Sequence, residues 1–192
     1  MNVRIILPLF FLLHFAGASF AQNGSFEVKI IQDTVMDPGA NNELLLKKAP
    51  FKIEVRLNKL EGVYLYAAFK DSIYKITADE KIPGFADIPA MSMAEESFNP
   101  DQELITSDDG WAYWFYSKEE NWHRFDKKIE VNGDVIIGRK SVKQFYIPAL
   151  EKSMKVEDVN APLYLFFFSA SEAKRGELAN ELQRYKIKIT WK

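Results

Sequence analysis

The chain contains no cysteine. That excludes disulfide staples, thiolate nucleophiles, cysteine-ligated zinc and iron–sulfur clusters. Histidine is almost as scarce: there are two, His14 and His123. A single imidazole in the body of the chain cannot build a histidine-rich metal site. A Ser-His-Asp arrangement would have to use His123, and no serine lies in a Gly-x-Ser-x-Gly turn. Gly138-Arg139-Lys140-Ser141 echoes a phosphate loop but lacks the upstream glycine and the helical pattern that should follow. Charge of one sign is also missing. The 25 basic and 27 acidic residues are interspersed, which argues against nucleic acid as the main partner. There is no internal repeat and no low-complexity tract.

The one sustained apolar run is at the start. Met1-Asn2-Val3-Arg4 carries a single positive charge, and Ile5 to Ala16 is almost entirely apolar. About a dozen residues is the length of a signal-peptide core and too short to span a bilayer as a helix. Ser19 and Ala21 place small residues at the −3 and −1 positions of a cleavage site. The expectation is a cleavable signal peptide over residues 1–21 and one domain over residues 22–192. No cysteine follows the cut, so a lipid anchor is not expected there. The longest later apolar run, Pro162 to Phe168, fits a buried strand and not a membrane span. Export without disulfides points to a bacterial periplasmic or secreted protein.

The body of the chain reads as strands. Phe51, Ile53, Val55 and Leu57 alternate with Lys52, Glu54, Arg56 and Asn58, the period of a strand with one face buried. Phe26 to Ile30 and Tyr185 to Lys192 alternate in the same way. Val63 to Phe69, Trp111 to Tyr116 and Leu163 to Phe168 are apolar on both faces, which predicts central or doubly covered strands. Asn132-Gly133, between Lys128–Val131 and Val135–Ile137, predicts a two-residue hairpin turn. Residues 78–102 predict a long connection with a short helical turn at 91–97. Residues 172–184 space their apolar side chains as a short helix. Roughly a dozen short strands with one or two short helices predict a mainly β, single-domain antiparallel sandwich of the jelly-roll or Ig-like kind. The alternative is a closed β-barrel.

Aromatic residues concentrate between Trp111 and Phe125, which hold three of the four tryptophans. Alternation puts Trp111, Tyr113 and Phe115 on one face, assigned to the core because Phe115 has no polar handle, and turns Trp114 and Tyr116 toward solvent or a covering loop at 78–102, with Trp122, His123 and Arg124 returning nearby. Flat rings edged with hydrogen-bonding groups suit a sugar ring or a protein partner. Trp114, Tyr116, Trp122, His123 and Arg124 are therefore the candidate ligand-binding residues. Asp33, Asp37, Asn41 and Glu43 are oxygen donors of the type calcium takes, although their spacing matches no known loop and turn chemistry explains them as well. No metal or other cofactor is expected. Adjacent acids such as Asp108-Asp109 and Glu119-Glu120 read as solvated turns.

The functional expectation is a non-catalytic exported binding module whose partner is an envelope or extracellular protein, or a glycan. The alternative is a polysaccharide-acting enzyme with a facing carboxylate pair. The leader is tested directly: protein recovered from the envelope or medium should begin at Gln22 by intact mass and N-terminal sequencing, and a retained Met1 would refute the cut.

Overall fold

The computed structural model describes residues 24–38, 41–60, 62–76, 102–107, 112–119, 121–131, 134–170 and 184–192. In chain order the strands are β1 (Ser25–Gln32), β2 (Thr34–Met36), β3 (Glu43–Leu46), β4 (Phe51–Asn58) and β5 (Gly62–Ala68). A single helical turn, α1 (Ser72–Ile76), follows. Then come β6 (Glu103–Ile105), β7 (Tyr113–Ser117), β8 (Trp122–His123), β9 (Lys127–Val131) and β10 (Val135–Val142). The chain closes through β11 (Gln144–Ile147), β12 (Lys152–Lys155), β13 (Leu163–Ala170) and β14 (Arg184–Trp191).

These strands form two large sheets and one small one. The first runs β2-β1-β4-β10-β9 and is antiparallel throughout. The second runs β3-β14-β13-β5-β7-β8, with only β3 and β14 parallel. The third, β12-β11-β6, bridges the two: β10 leads into β11, and the Ser107 N–H beyond β6 donates to the Ala67 carbonyl of β5 at 2.8 Å. Neither large sheet closes on itself, so the molecule is a layered β structure consistent with a sandwich, and the barrel alternative is set aside.

Alternation decides what fills the space between the sheets. Phe26, Val28 and Ile30 of β1 and Phe51, Ile53, Val55 and Leu57 of β4 point inward. They meet Val63 and Leu65 of β5, Leu163, Leu165 and Phe167 of β13, and Ile187 and Ile189 of β14. Burying each such side chain contributes about 1.5–3 kcal/mol before entropy is counted. The doubly apolar strands are explained by a second cluster. Tyr66, Ala68, Ala112, Phe166 and Phe168 are buried on the opposite face of the six-stranded sheet. The turn at 91–97 and the helix at 172–184 expected from sequence lie outside the described residues except for Arg184, which opens β14, and Asn132 and Gly133 lie outside them too. The hairpin they were expected to close is present, but Val131 pairs with Val135, so the connection holds three residues instead of two.

Polar groups that enter the interior are tied down. Gln32 accepts from the Lys47 N–H at 2.8 Å and donates to the Ala49 carbonyl at 2.9 Å, fixing the end of β1 to the start of β4. The Trp191 indole donates to the Ala161 carbonyl at 2.8 Å and packs beside Phe51. One tryptophan is thus fully accounted for by the fold.

Gly138 of β10 lies directly against the Phe125 ring. A Cβ built there would lie 2.3 Å from the Phe125 ring. Gly138→Ala should therefore cost about 1–3 kcal/mol in urea denaturation, the scale of core overpacking. Adding Phe125→Leu should recover part of that loss. An unchanged midpoint for Gly138→Ala would show that the ring can move aside freely.

Candidate functional site

The aromatic segment is built around one irregularity. Val63 pairs with Tyr116, but Tyr64 pairs with Trp114, which leaves Phe115 as an extra residue in β7. This is a β-bulge, and it reverses the parity of alternation beyond it. Tyr113 and Phe115 are buried in the core as strict alternation requires. Tyr116 is not outward, as alternation predicts; it is 3% exposed and belongs to the same core. The bulge is the physical reason for that correction. Trp111 lies outside the described residues.

Trp114 is left half-buried on the outer face of the six-stranded sheet. Its ring stacks on Tyr64 at 3.8 Å between centroids and 23° between planes. Tyr64 stacks in turn on Phe168 at 5.2 Å. Beneath the indole is Gly62, where a Cβ would come within 2.3 Å of the ring. The ring is thus held from below and from one side. Further along the same face, Lys186 donates to the Tyr74 carbonyl and its ammonium lies 4.7 Å from the Tyr74 ring centre.

Trp122, His123 and Arg124 gather elsewhere, at the edge where β8 pairs with β7. Trp122 stands opposite Ser117 and His123 opposite Tyr116. Arg124 is 6% exposed, and its guanidinium lies 4.5 Å from the Trp122 ring centre and 4.9 Å from that of Tyr113. Each such cation–π contact contributes about 0.5–2 kcal/mol, more when desolvated. The Tyr113 hydroxyl donates to the Ile105 carbonyl at 3.1 Å, and burial pushes its phenol far above the usual range. His123 stacks on Phe125 at 5.4 Å, and its Nδ1 accepts the Phe125 N–H at 3.3 Å. Burial first, and the Lys128 cation second, hold this imidazole below its usual pKa. The candidate residues therefore divide into an outward ring, Trp114, and a cluster of Tyr116, Trp122, His123 and Arg124 around the end of β7.

The calcium candidates do not converge. Asp33, in a left-handed turn with φ 60°, pairs with Lys47 at 2.7 Å, and that partner lowers its pKa. Glu43 pairs with Lys188 at 2.9 Å on the other sheet. Asn41 is an exposed turn residue before β3, and Asp37 follows β2. No group of three or more His, Asp or Glu able to hold a metal occurs among the described residues.

Sequence reasoning missed an ion pair beside this cluster, in which one member, Lys140, is buried and the other, Asp126, reaches solvent. Lys140 is 1% exposed, and its Nζ lies 3.6 Å from Asp126 Oδ1. It shares the inward face of β10 with Gly138 and Val142, a placement that its register opposite Ile53 shows and the sequence does not mark. Asp126 Oδ2 also accepts the Ser141 N–H at 2.5 Å, which fastens the start of β9 to β10.

Comparison with known proteins returns no match to any family model, curated protein or solved structure.

The Lys140–Asp126 pair makes opposite predictions for its two members. Asp126→Asn removes the carboxylate beside a buried ammonium and should lower stability by about 1–3 kcal/mol, below the range for fully buried pairs because Asp126 is exposed. Lys140→Met should stay within about 1 kcal/mol of wild type or gain, since no charge is then buried. Urea denaturation of the two single variants and the double variant checks both signs.

Proposed function

We propose that residues 22–192 form an exported, non-catalytic binding module that engages another envelope or extracellular protein through the outward face of Trp114. One observation carries the reading. Trp114 is a large aromatic side chain held in place by Tyr64 and Gly62 while part of its ring still meets solvent. An immobilised ring loses little conformational freedom on binding, so its contact area is converted to affinity with a small entropic cost. Tryptophan, tyrosine and arginine are also the residues that dominate protein interfaces.

A protein partner is favoured over a glycan by what surrounds the ring. Sugar recognition wants hydrogen-bonding groups around the stacking platform. Trp114 adjoins Tyr64, which brings a single phenol hydroxyl, and beyond it the wholly apolar ring of Phe168. The two serines of this sheet region, Ser117 and Ser169, are 3% and 2% exposed. Export rests on the leader, and no described helix is long and apolar enough to cross a membrane.

The experiment uses the mature chain as bait on envelope or culture extract, followed by direct affinity measurement with the partner it retains. Trp114→Ala should weaken binding by about 10-fold or more, the scale of a central interface residue. Folding of the variant is confirmed by an unchanged Trp191 environment. Equal affinity of variant and wild type would refute the role of Trp114. A fluorescence shift with an oligosaccharide series, and no protein partner, would replace the protein reading with a glycan one.

A further inference from the structure

His123 is the only histidine after the leader, and it sits at a junction of the fold. Its Nδ1 accepts the Phe125 N–H at 3.3 Å. That bond exists only while Nδ1 carries no proton. The residue it holds is consequential. Phe125 packs edge-on against Phe115 at 5.2 Å, lies parallel to Tyr116 at 6.2 Å, and covers Gly138. Between the two residues lies Arg124, clasped by Trp122 and Tyr113. The chain is attached here by a two-residue strand, by the Arg124 N–H to the Phe115 carbonyl at 3.1 Å, and by the imidazole bond.

The charges around the ring oppose its protonation. Arg124 is the next residue, and Lys128 on β9 acts on the ring from across the turn. Tyr116 of β7 stands opposite and brings no negative charge at neutral pH. Asp126 is engaged by Lys140 of β10 and by the Ser141 N–H, and Glu130 by Lys128. A proton on Nδ1 would thus set two N–H groups face to face and place a second cation near Lys128.

We propose that His123 is a pH-operated latch on the turn that leaves the edge of the six-stranded sheet: unprotonated, it fixes the turn from His123 to Phe125 and so holds Phe125 against Phe115 and Tyr116, and protonated, it releases that turn. The latch goes beyond the binding role and does not depend on it, because it is read on the isolated chain. The direction follows from linkage. The latch is fully closed above the ordinary histidine pKa of about 6.5 and opens as pH falls below it. Carboxylates titrate lower, so the window belongs to this one side chain.

The test is NMR of the mature chain from about pH 7.5 down to about pH 5, across the histidine range. The Phe125 amide and the Trp122 indole should shift with the same midpoint as the His123 ring. Exchange protection of the Phe125 amide should fall by about tenfold beyond the intrinsic rate change, as for loss of one hydrogen bond. His123→Phe keeps the stacking but not the acceptor; it should abolish the transition and leave the amide weakly protected at every pH. A Phe125 amide indifferent to titration of the ring overturns the proposal in the wild-type protein alone, whether or not the variant folds. A wild-type pH profile in His123→Phe overturns it as well.

Discussion

One extra residue in β7 governs the layout of the aromatic edge. Without the bulge at Phe115, Tyr116 would face outward beside Trp114. With it, two consecutive rings enter the core, and only Trp114 remains on the outer face. The inward step of Tyr116 then sets what β8 meets. His123 pairs with Tyr116, the chain turns in, and Phe125 arrives between Tyr116, Phe115 and Gly138. Gly138 is the counterpart on the opposing sheet, since any larger residue would collide with the ring that the bulge delivers. The two irregular features, one in each sheet, fit each other.

The same delivery brings charge into a dry region. Arg124 and Lys140 both lie almost wholly buried near this end of the sandwich, and each is handled differently. Arg124 lies over two aromatic rings, which suits a weakly hydrated, planar cation. Lys140 is a compact, strongly hydrated charge, and a carboxylate answers it. Exchange of the two side chains would not preserve either arrangement. Buried ion pairs contribute little net stability, but they penalise a wrong register heavily. Lys140 fits one alignment of β9 on β10, because a slip by one residue would turn it outward and send Arg139 in.

Legibility from sequence follows the length of the pattern. β1, β4 and β14 each present eight positions, enough for alternation to declare the inward face; β1 and β4 bury their alternating apolar set, while in β14 Ile187 and Ile189 are buried and Tyr185 and Trp191 are half-buried. The doubly apolar β5 and β13 were legible as covered strands for the same reason. β2, β6 and β8, at three, three and two residues, are too short to carry a period, so only tertiary pairing defines them. The bulge was hidden because every residue from Tyr113 to Tyr116 is aromatic, so no polar residue marks the change of parity. Lys140 was hidden because a charged residue on an alternating strand is assigned outward by default. Trp114 was read correctly as the outward ring, while its support by Tyr64 depends on cross-strand pairing that a linear pattern does not contain.

The edges of the sheets limit how this molecule can recognise anything. A cysteine-free domain cannot staple its margins, and exposed strand edges recruit other chains. Here the margins are blunted by brevity and charge. β2 and β8 are three and two residues long, and β9 carries Lys127, Lys128 and Glu130. A two-residue edge offers too few main-chain groups for a partner to add a strand, so β-augmentation at β8 would gain little. Any contact made at β8 would fall to its side chains, Trp122 and His123, both half-buried and both engaged internally. At the β8 end, that leaves the face of the sheet and not the strand's margin as the surface with contact area to give. On that face the ring that combines rigid support with exposure is Trp114.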